Sequence, residues 1–229
     1  TRCSRDWSSD VCSSDLAPIP TFYLNSIVVS VLSTVLNVLL VSMGAYVLAR
    51  VQSRWSNALM AVLSVSLFIP ITAMIQSIYN VINSIGLYDS RTGLILVYTA
   101  MGLPMTLFIM RSHFRSVPKE VEESAYIDGS SFGRTFFTVA LPIAKPGLST
   151  AGILCFIACW NEFLFSLTLT SKTSIRTLPL ALNYFTSAFS FNYTALFAAV
   201  VMIVLPSILA FIALQEQVVG GLASGAVKG

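Results

Sequence analysis

The sequence predicts an all-α polytopic membrane protein, a bundle of transmembrane helices, from its composition and from the placement of its apolar residues. Of the 229 residues, 55% are hydrophobic and 10% are charged, and the mean hydropathy is +0.80. A soluble domain carries about a quarter charged residues, so most of the surface of this chain is expected to contact lipid. The apolar residues also form stretches of the ~20 residues that a helix needs to cross a bilayer.

Five such stretches are predicted to span the membrane, at 25–49, 57–80, 92–110, 147–169 and 195–215. The first carries small and polar residues that share one helical face, namely Ser30, Ser33, Thr34, Asn37 and Gly44. A polar stripe is costly against lipid. It is therefore expected to face either other helices or a wet pathway, and both interpretations remain open.

Proline interrupts the second and third stretches. Pro70 removes a backbone donor and is expected to kink the second helix. The polar residues beyond it, Gln76 and Asn80, share one side of that helix. In the third stretch, Pro104 precedes a boundary at Arg111.

The fourth stretch carries Glu162, the only ionisable residue well inside a predicted span. An intramembrane carboxylate is costly and is a functional candidate by default. The alternative is a structural hydrogen bond to a neighbouring helix. Cys155 and Cys159 lie one helical turn apart and are interpreted as packing residues, because two ligands alone do not make a metal site.

The two ends of the chain differ from its apolar middle. Residues 1–16 are polar, rich in Ser and Asp, and lack the charged start, apolar centre and cleavage site of a signal peptide. They are interpreted as a non-native, disordered leader, which leaves 17–229 as a single transmembrane domain. The Gly-rich tail, 218–229, is expected to be flexible.

The polar connection 117–147 is predicted to form a helix, a glycine turn and a second helix outside the lipid. Pro118 suits an early helical position. Acidic residues follow it near the helix N-terminus, where the dipole favours negative charge; they are Glu120, Glu122 and Glu123. Gly129 can end this helix in the left-handed conformation.

The second helix of this connection is expected to begin at Ser130 or Ser131, either of which can cap it. Pro142 and Pro146 are expected to end it before the fourth span. The product would be a rigid helix–Gly–helix elbow.

Lys and Arg are distributed unequally between the two sides of the membrane. If successive spans cross the membrane in opposite directions, the connections on one side carry Arg50, Arg54, Arg111, Arg115, Lys119, Arg134, Lys145 and Lys228. Those on the other side carry Arg91, Lys172 and Arg176. The side with the elbow carries eight Lys and Arg residues and the other side three, so the positive-inside rule places the elbow in the cytoplasm. His113, at the same edge, is expected to be solvated or to face lipid headgroups.

A spaced motif in the elbow resembles the EAA loop of ABC importer permeases. That pattern is E-A-A, two residues, D-G, nine residues, an aliphatic residue, any residue, and L-P. Here it is Glu123-Ser124-Ala125, Asp128-Gly129 and Val139-Ala140-Leu141-Pro142, with Ser124 and Val139 departing from the usual Ala and Ile. The string Trp160-Asn161-Glu162-Phe163 and the tail resemble the maltose-type carbohydrate-uptake branch of these binding-protein-dependent permeases.

The resemblance covers 22–229 and implies one membrane subunit of an ATP-driven importer for a sugar or oligosaccharide, in the bacterial plasma (inner) membrane. The partners it implies are cytoplasmic ABC ATPase subunits, a second permease subunit, an extracytoplasmic solute-binding protein and the lipid bilayer, with no nucleic acid. It also implies a sixth, N-terminal span, which is missing from this sequence.

Two sets of site residues follow from this resemblance. The ATPase-coupling residues are Glu123, Ser124, Ala125, Asp128, Gly129, Leu141 and Pro142. The candidate solute-pathway residues, chosen as polar side chains buried in apolar spans, are Gln76, Asn80, Asn161 and Glu162. No catalytic, metal or cofactor site is expected.

The chain is not expected to be an enzyme. It has no G-x-x-x-x-G-K-[ST] loop for ATP phosphates, and its single His and single intramembrane carboxylate make no catalytic cluster. Energy would come from a partner subunit or from an ion gradient. The alternatives are an ABC permease for a non-sugar solute, a secondary carrier or channel with a cytoplasmic regulatory loop, and a non-transporting scaffold.

Overall fold

A computed structural model describes residues 18–51, 53–187, 190–191 and 193–226, so the predicted leader, 1–16, lies outside them. The described chain is almost wholly helical, as predicted. Its helices are α1 (Ile19–Arg50), α2 (Arg54–Ser66), α3 (Ile71–Ser84), α4 (Arg91–Ser116), α5 (Lys119–Ile127), α6 (Phe132–Thr135), α7 (Leu141–Ile143), α8 (Lys145–Trp160), α9 (Leu164–Leu169), α10 (Leu182–Phe185) and α11 (Tyr193–Ala226).

Short elements complete the chain. A π-helical turn, Phe136–Ala140, joins α6 to α7, and 3-10 turns occupy Thr173–Ile175 and Leu178–Ala181. Strand β1 (Thr186–Ser187) pairs antiparallel with β2 (Ser190–Phe191). The connection between α9 and α11 is therefore a series of short turns.

Two helices in the described part of the chain, α1 and α4, are each long and apolar enough to cross a membrane. Two bent pairs are further candidates: α2 meets α3 at 107°, and the helical stretch Phe132–Ile143 meets α8 at 77°. Counting each pair as one span gives up to four, against the five predicted. The apolar segment found within α11, Leu196–Ile212, is shorter than a span.

The second predicted span is broken rather than kinked. Helix α2 ends at Ser66, and Pro70 stands at the N-cap of α3 in an extended conformation, with φ −62° and ψ 128°. A proline inside a helix removes a hydrogen bond, whereas before the first turn its missing N–H costs nothing. Residues 67–70 therefore form a corner between two helices.

The fourth predicted span is also divided, between α8 and α9. Helix α8 covers 16 residues, fewer than the ~20 that cross a bilayer. Its last residue, Trp160, is buried, and the indole Nε1 donates to the carbonyl O of Ile203 in α11 at 2.9 Å. This contact ties the end of α8 to α11.

The polar stripe of α1 lies in the seam between α1 and α4. Ser33 Oγ donates to the carbonyl O of Ile95 at 3.3 Å, and Asn37 Nδ2 donates to the carbonyl O of Thr99 at 2.7 Å. Both side chains are fully buried. Of the two interpretations that the sequence left open, bonding between helices is the one observed.

Small residues allow α4 and α8 to approach closely. A Cβ at Gly102 would lie 3.0 Å from Cys155 Sγ, and one at Gly147 would collide with the ring of His113. Cys155 and Cys159 are free and buried, and no group of three His, Cys, Asp or Glu in the described ranges is placed to hold a metal. His113 is 7% exposed; the prediction that it is solvated or faces headgroups is wrong, because the first turn of α8 covers it.

Helix α11 extends further than the sequence suggested. It runs for 34 residues to Ala226, so most of the Gly-rich tail that was expected to be flexible is helical. Residues 227–229 lie outside the described chain.

Candidate functional site

The turn between α5 and α6 carries the spaced motif. Helix α5 ends at Ile127 with Asp128 as its C-cap, and Gly129 has φ 81°, in the left-handed region predicted for it. The Gly129 N–H donates to the carbonyl O of Tyr126 at 3.0 Å, and the Ser130 N–H donates to that of Ala125 at 2.9 Å. These two bonds form a Schellman motif, which satisfies the last carbonyls of the helix.

The left-handed backbone conformation, and not a steric clash, restricts which residues position 129 can hold. A Cβ at Gly129 would meet no atom within 4 Å, yet an L side chain in left-handed backbone costs about 1–2 kcal/mol. Gly86, in the turn before α4, has φ 73° and equally open surroundings. The chain therefore offers two glycines with the same backbone requirement, one on each side of α4.

The second helical stretch begins at Ser131, whose Oγ accepts from the Arg134 N–H at 3.4 Å. It continues through α6, the π turn and α7, and changes direction at Ala144. Pro142 lies within α7 and Pro146 in the first turn of α8. The second helix therefore ends at Ile143, next to Pro142 and before Pro146, as predicted. Pro146 occupies an early position of α8, where its missing N–H is tolerated.

Most of the predicted coupling residues are on the surface. Glu123, Ser124, Asp128, Gly129 and Pro142 are exposed, and Ala125 and Leu141 are half-buried. Beside them, Ile127 is 86% exposed and Phe132 is 44% exposed. An exposed surface that mixes acidic, small and apolar side chains is suited to contact with another protein.

The predicted solute-pathway residues fall into two pairs. Gln76 and Asn80 are exposed on α3, where Gln76 Nε2 donates to Asn80 Oδ1 at 3.1 Å. Asn161 is exposed at the end of α8, and Glu162 beside it is half-buried. Among the described residues no hydrogen bond joins the two pairs. The burial expected for these side chains is not observed for Gln76, Asn80 and Asn161, which are exposed in the described chain.

Glu162 caps α9 across the break in the fourth stretch. Its Oε1 accepts from the Phe165 N–H at 2.9 Å, and its Oε2 accepts from the Ser166 N–H at 3.1 Å and from the Tyr98 hydroxyl at 2.8 Å. The first N–H groups of a helix have no partner inside it and favour a negative charge. The structural hydrogen bond that the sequence left open is therefore present.

Among the described residues, two cavities that adjoin these helices bear on a solute route. One of about 160 Å³ is lined by Glu162, Tyr98 and Thr106 among others. Small-molecule pockets measure about 300–1,000 Å³, so this cavity is too small for a disaccharide. The other, of about 680 Å³, lies against α2, α3 and α4 and is lined mainly by apolar side chains such as Leu63 and Met101.

A second carboxylate, Asp89, joins two connections at the start of α4. It has φ 56°, and its N–H donates to the carbonyl O of Leu169 at 3.0 Å. Its Oδ1 accepts from the N–H groups of Ser171 and Lys172 at 2.8 and 2.9 Å, and Lys172 Nζ lies 3.4 Å from Oδ2. The Lys172 N–H, above all, holds the pKa of Asp89 below its ordinary value.

Residues 38–221 match the family described as "Binding-protein-dependent transport system inner membrane component". The chain belongs to this family. It is a multi-pass permease subunit of the inner membrane, and ATP hydrolysis resides in separate subunits. The predicted family is confirmed, and with it the partnership with an ATPase and a solute-binding protein that the family implies.

Named relatives of this permease span most of its length. It is 35% identical to the sulfoquinovosyl glycerol transport system permease protein SmoH of Agrobacterium fabrum, over 93% of this chain and 74% of SmoH. It is 36% identical to the trehalose transport system permease protein SugB of Mycobacterium tuberculosis, over 90% of this chain and 76% of SugB. It is 36% identical to the diacetylchitobiose uptake system permease protein NgcG of Streptomyces coelicolor, over 93% of this chain and 71% of NgcG.

Solved structures share the fold of the permease. One is the crystal structure of a bacterial ABC transporter involved in the import of the acidic polysaccharide alginate, with TM-score 0.73, 23% identity, and coverage of 86% of this chain and 74% of that one. Another is the MetNI methionine ABC transporter in an inward-facing conformation, with TM-score 0.64, 17% identity, and coverage of 89% and 94%. At these identities the likeness shows the fold alone.

The sequence alone does not indicate how two carboxylates of the permease are used. Glu122 was assigned to the helix dipole, but it is 3% exposed and forms an ion pair with Arg50. Asp89 was not singled out. The Glu122 partner lies 72 residues away, so no local pattern connects the two; for Asp89, its position just before the helix-capping Ser90 was the available signal.

Proposed function

We propose that this permease carries a sugar or oligosaccharide, delivered by an extracytoplasmic solute-binding protein, as one of two membrane subunits of an ABC importer. Relatives named for sulfoquinovosyl glycerol, trehalose and diacetylchitobiose support a carbohydrate, each at 35–36% identity. The observation that carries the coupling mechanism is the exposed Schellman turn at Gly129, with the motif residues around it. No observation favours an ion-driven carrier, and a non-sugar solute is the outcome to test against.

In this proposal the α5–α6 turn is the coupling elbow on which a cytoplasmic ATPase subunit docks. Ala125 is small and half-buried beside the exposed Glu123, which leaves room for a partner side chain. Gly129 supplies the sharp reversal. Because both flanking helices are hydrogen-bonded up to the turn, a push on it moves the stretch Phe132–Ile143, which meets α8 at 77°.

The proposed topology keeps 17–229 as one transmembrane domain with five spans and with the loop 117–147 in the cytoplasm. Its support is the excess of Lys and Arg on the side of α5, eight against three. In this arrangement the turn at Asp89 faces outward, toward the solute-binding protein.

The proposed solute route runs between two permease subunits rather than inside one. The cavity beside Glu162 holds about 160 Å³, which is too little for a disaccharide. Gln76, Asn80 and Asn161 are exposed, and exposed amides are costly against lipid. These side chains are therefore expected to face a wet route closed by the second permease, with Glu162 holding the helix break in place.

The coupling proposal is tested with Gly129→Asp in the full transporter, reconstituted in liposomes with its ATPase and binding protein. We expect the complex to assemble and to lose solute-stimulated ATP hydrolysis. Gly86→Asp is the matched control, because it imposes the same left-handed strain at the other end of α4. Normal stimulated hydrolysis in Gly129→Asp, or equal loss in both variants, would count against coupling at this turn.

The route is tested by alanine at each of Gln76, Asn80, Asn161 and Glu162, with Asn57→Ala as an exposed control away from the predicted route. Uptake of a labelled disaccharide is measured together with ATPase binding. We expect altered uptake with unchanged ATPase binding in the first set alone. Four silent variants would reject the route, and competition by amino acids but not by sugars would reject the solute class.

A further inference from the structure

We infer that Arg50 and Glu122 clamp α5 to the end of α1, so that motion of the α5–α6 turn is delivered first to α1. This inference rests on the proposed function and names two positioning residues that the spaced motif does not contain. Glu122 adjoins the motif residue Glu123 but faces the other way. It is 3% exposed, whereas Glu123 and Glu120 on the same helix are exposed.

The guanidinium of Arg50 holds both oxygens of Glu122. Nε donates to Oε1 at 3.0 Å and to Oε2 at 2.9 Å, and Nη2 donates to Oε1 at 2.5 Å. The Arg50 side chain is 11% exposed and the Glu122 side chain is 5% exposed. A planar fork of donors fixes direction as well as distance. The pair therefore restrains the rotation of α5 as well as its separation from α1.

Two further contacts belong to the clamp. Arg50 Nη2 also donates to the carbonyl O of Val117 at 3.1 Å, and the Tyr46 hydroxyl donates to Glu122 Oε2 at 3.1 Å. Val117 is the C-cap residue that follows the last residue of α4, Ser116. One side chain of α1 therefore holds the end of α4 and the first turn of α5 together.

Tyr46 extends the clamp to the helical stretch beyond Gly129. Its ring centroid lies 4.9 Å from that of Phe132, 5.1 Å from that of Phe136 and 5.3 Å from that of Phe114. Both arms of the α5–α6 turn are thus attached to the end of α1. The turn itself remains exposed, as a docking element must.

Helix α1 connects the clamp to the membrane interior. It is a continuous helix of 32 residues, ~48 Å long, and its buried Ser33 and Asn37 are hydrogen-bonded to α4. A displacement at Arg50 therefore reaches the seam between α1 and α4. Without the ion pair, part of that displacement would be lost as α5 pivots about Val117 and Pro118.

The test compares Glu122→Gln with Glu120→Gln in the reconstituted complex of permease, ATPase and binding protein. Glu122→Gln keeps the side-chain volume but leaves the Arg50 charge without its partner, so transport per ATP hydrolysed should fall about tenfold while ATPase binding persists. Glu120→Gln removes an exposed charge two residues nearer the helix start and should change transport by less than about twofold. Equal effects of the two variants would overturn the inference.

A second measurement needs no change to the clamp. Spin labels at the exposed positions Val47 and Glu120 report the distance between α1 and α5 with and without ATP in the complete transporter. We expect one narrow distance distribution that is the same in both states. A distance that changes on ATP binding would overturn the inference, even if Glu122→Gln failed to accumulate.

The outcomes separate this inference from the proposed function. If Gly129→Asp uncouples transport but Glu122→Gln behaves like Glu120→Gln, the turn couples and the clamp does not deliver its motion. If Gly129→Asp leaves transport intact, the coupling role of the turn itself is wrong. The rigid α1–α5 distance would then be a structural contact without that role.

Discussion

Asp89 and Glu122 lie beyond opposite ends of α4, a helix of 26 residues that is ~39 Å long, and they are held in different ways. Glu122 is bound mainly by a guanidinium, with side-chain exposures of 11% for Arg50 and 5% for Glu122. Asp89 is bound mainly by backbone N–H groups, and its cation, Lys172, is 70% exposed and 3.4 Å away.

The difference separates two ways of using one carboxylate. A carboxylate that binds N–H groups of the next connection shapes a loop, and its cation adds little, because exposed ion pairs contribute about 0–1 kcal/mol. A buried carboxylate on a guanidinium joins two helices, and losing either partner leaves an uncompensated charge. The predicted effects therefore fall in order from the Glu122 end to the Asp89 end.

Arg50→Ala should have the largest effect on stability. It leaves Glu122 buried without a cation, so the free energy of unfolding in detergent should drop by about 3–5 kcal/mol. Arg54→Ala, an exposed arginine four residues further on, is the control and should stay within about 0.5 kcal/mol of the parent. Denaturant titration followed by circular dichroism measures both, and similar losses would erase the distinction between the two ends.

Asp89→Ala should have an intermediate effect, because it removes two charge-assisted bonds and places Ala in left-handed backbone. A loss of about 2–3 kcal/mol is expected in the same titration. Asp89→Asn keeps an acceptor and a residue that tolerates this backbone, so it should lose about half as much or less. If Asp89→Asn lost as much unfolding free energy as Asp89→Ala, the charge of Asp89, and not its acceptor atom or backbone conformation, would stabilise this end of α4.

The stability contributed by Asp89 should depend on pH. Because its folded-state pKa lies below the ordinary 3.8, ionised Asp89 stabilises the fold fully above about pH 5 and loses that contribution as the pH falls through the lowered pKa. The stability difference between the parent and Asp89→Asn should therefore be constant at neutral pH and shrink below pH 3.8. A difference that grew on acidification would contradict the sign.

Lys172→Ala should have the smallest effect. Its ammonium is largely solvated, so the loss should be below about 1 kcal/mol and should vanish in 1 M salt, where charges are screened within ~3 Å. Unfolding at low and high salt measures it. A salt-independent loss as large as that of Arg50→Ala would show that the two ion pairs are equivalent after all.

Local signals predicted the α5–α6 turn well. The left-handed Gly129 and the cap at Ser131 depend on residues within a few positions of each other, so the sequence contains their cause. Membership of the permease family followed from the same short stretch. The all-α class followed from composition, because only helices and closed barrels satisfy their backbone groups in lipid.

Hydropathy did not show where the chain leaves a helix. The stretches 57–80 and 147–169 are each apolar enough on average to be taken for one span, yet Pro70 begins a new helix in the first and Glu162 caps a new helix in the second. Burial of Glu122 and His113 depends on helices that are distant in sequence. These features arise from tertiary contacts, which a hydropathy profile does not contain.

The open space around Gly129 has a chemical consequence. Since an L side chain there would touch nothing within 4 Å, φ 81° alone restricts the position, and that region is the preferred one for residues of the opposite chirality. D-alanine installed at residue 129 by semisynthesis should preserve the backbone reversal that L-alanine strains. Stereochemistry at a single α-carbon would thereby be separated from every other property of the motif.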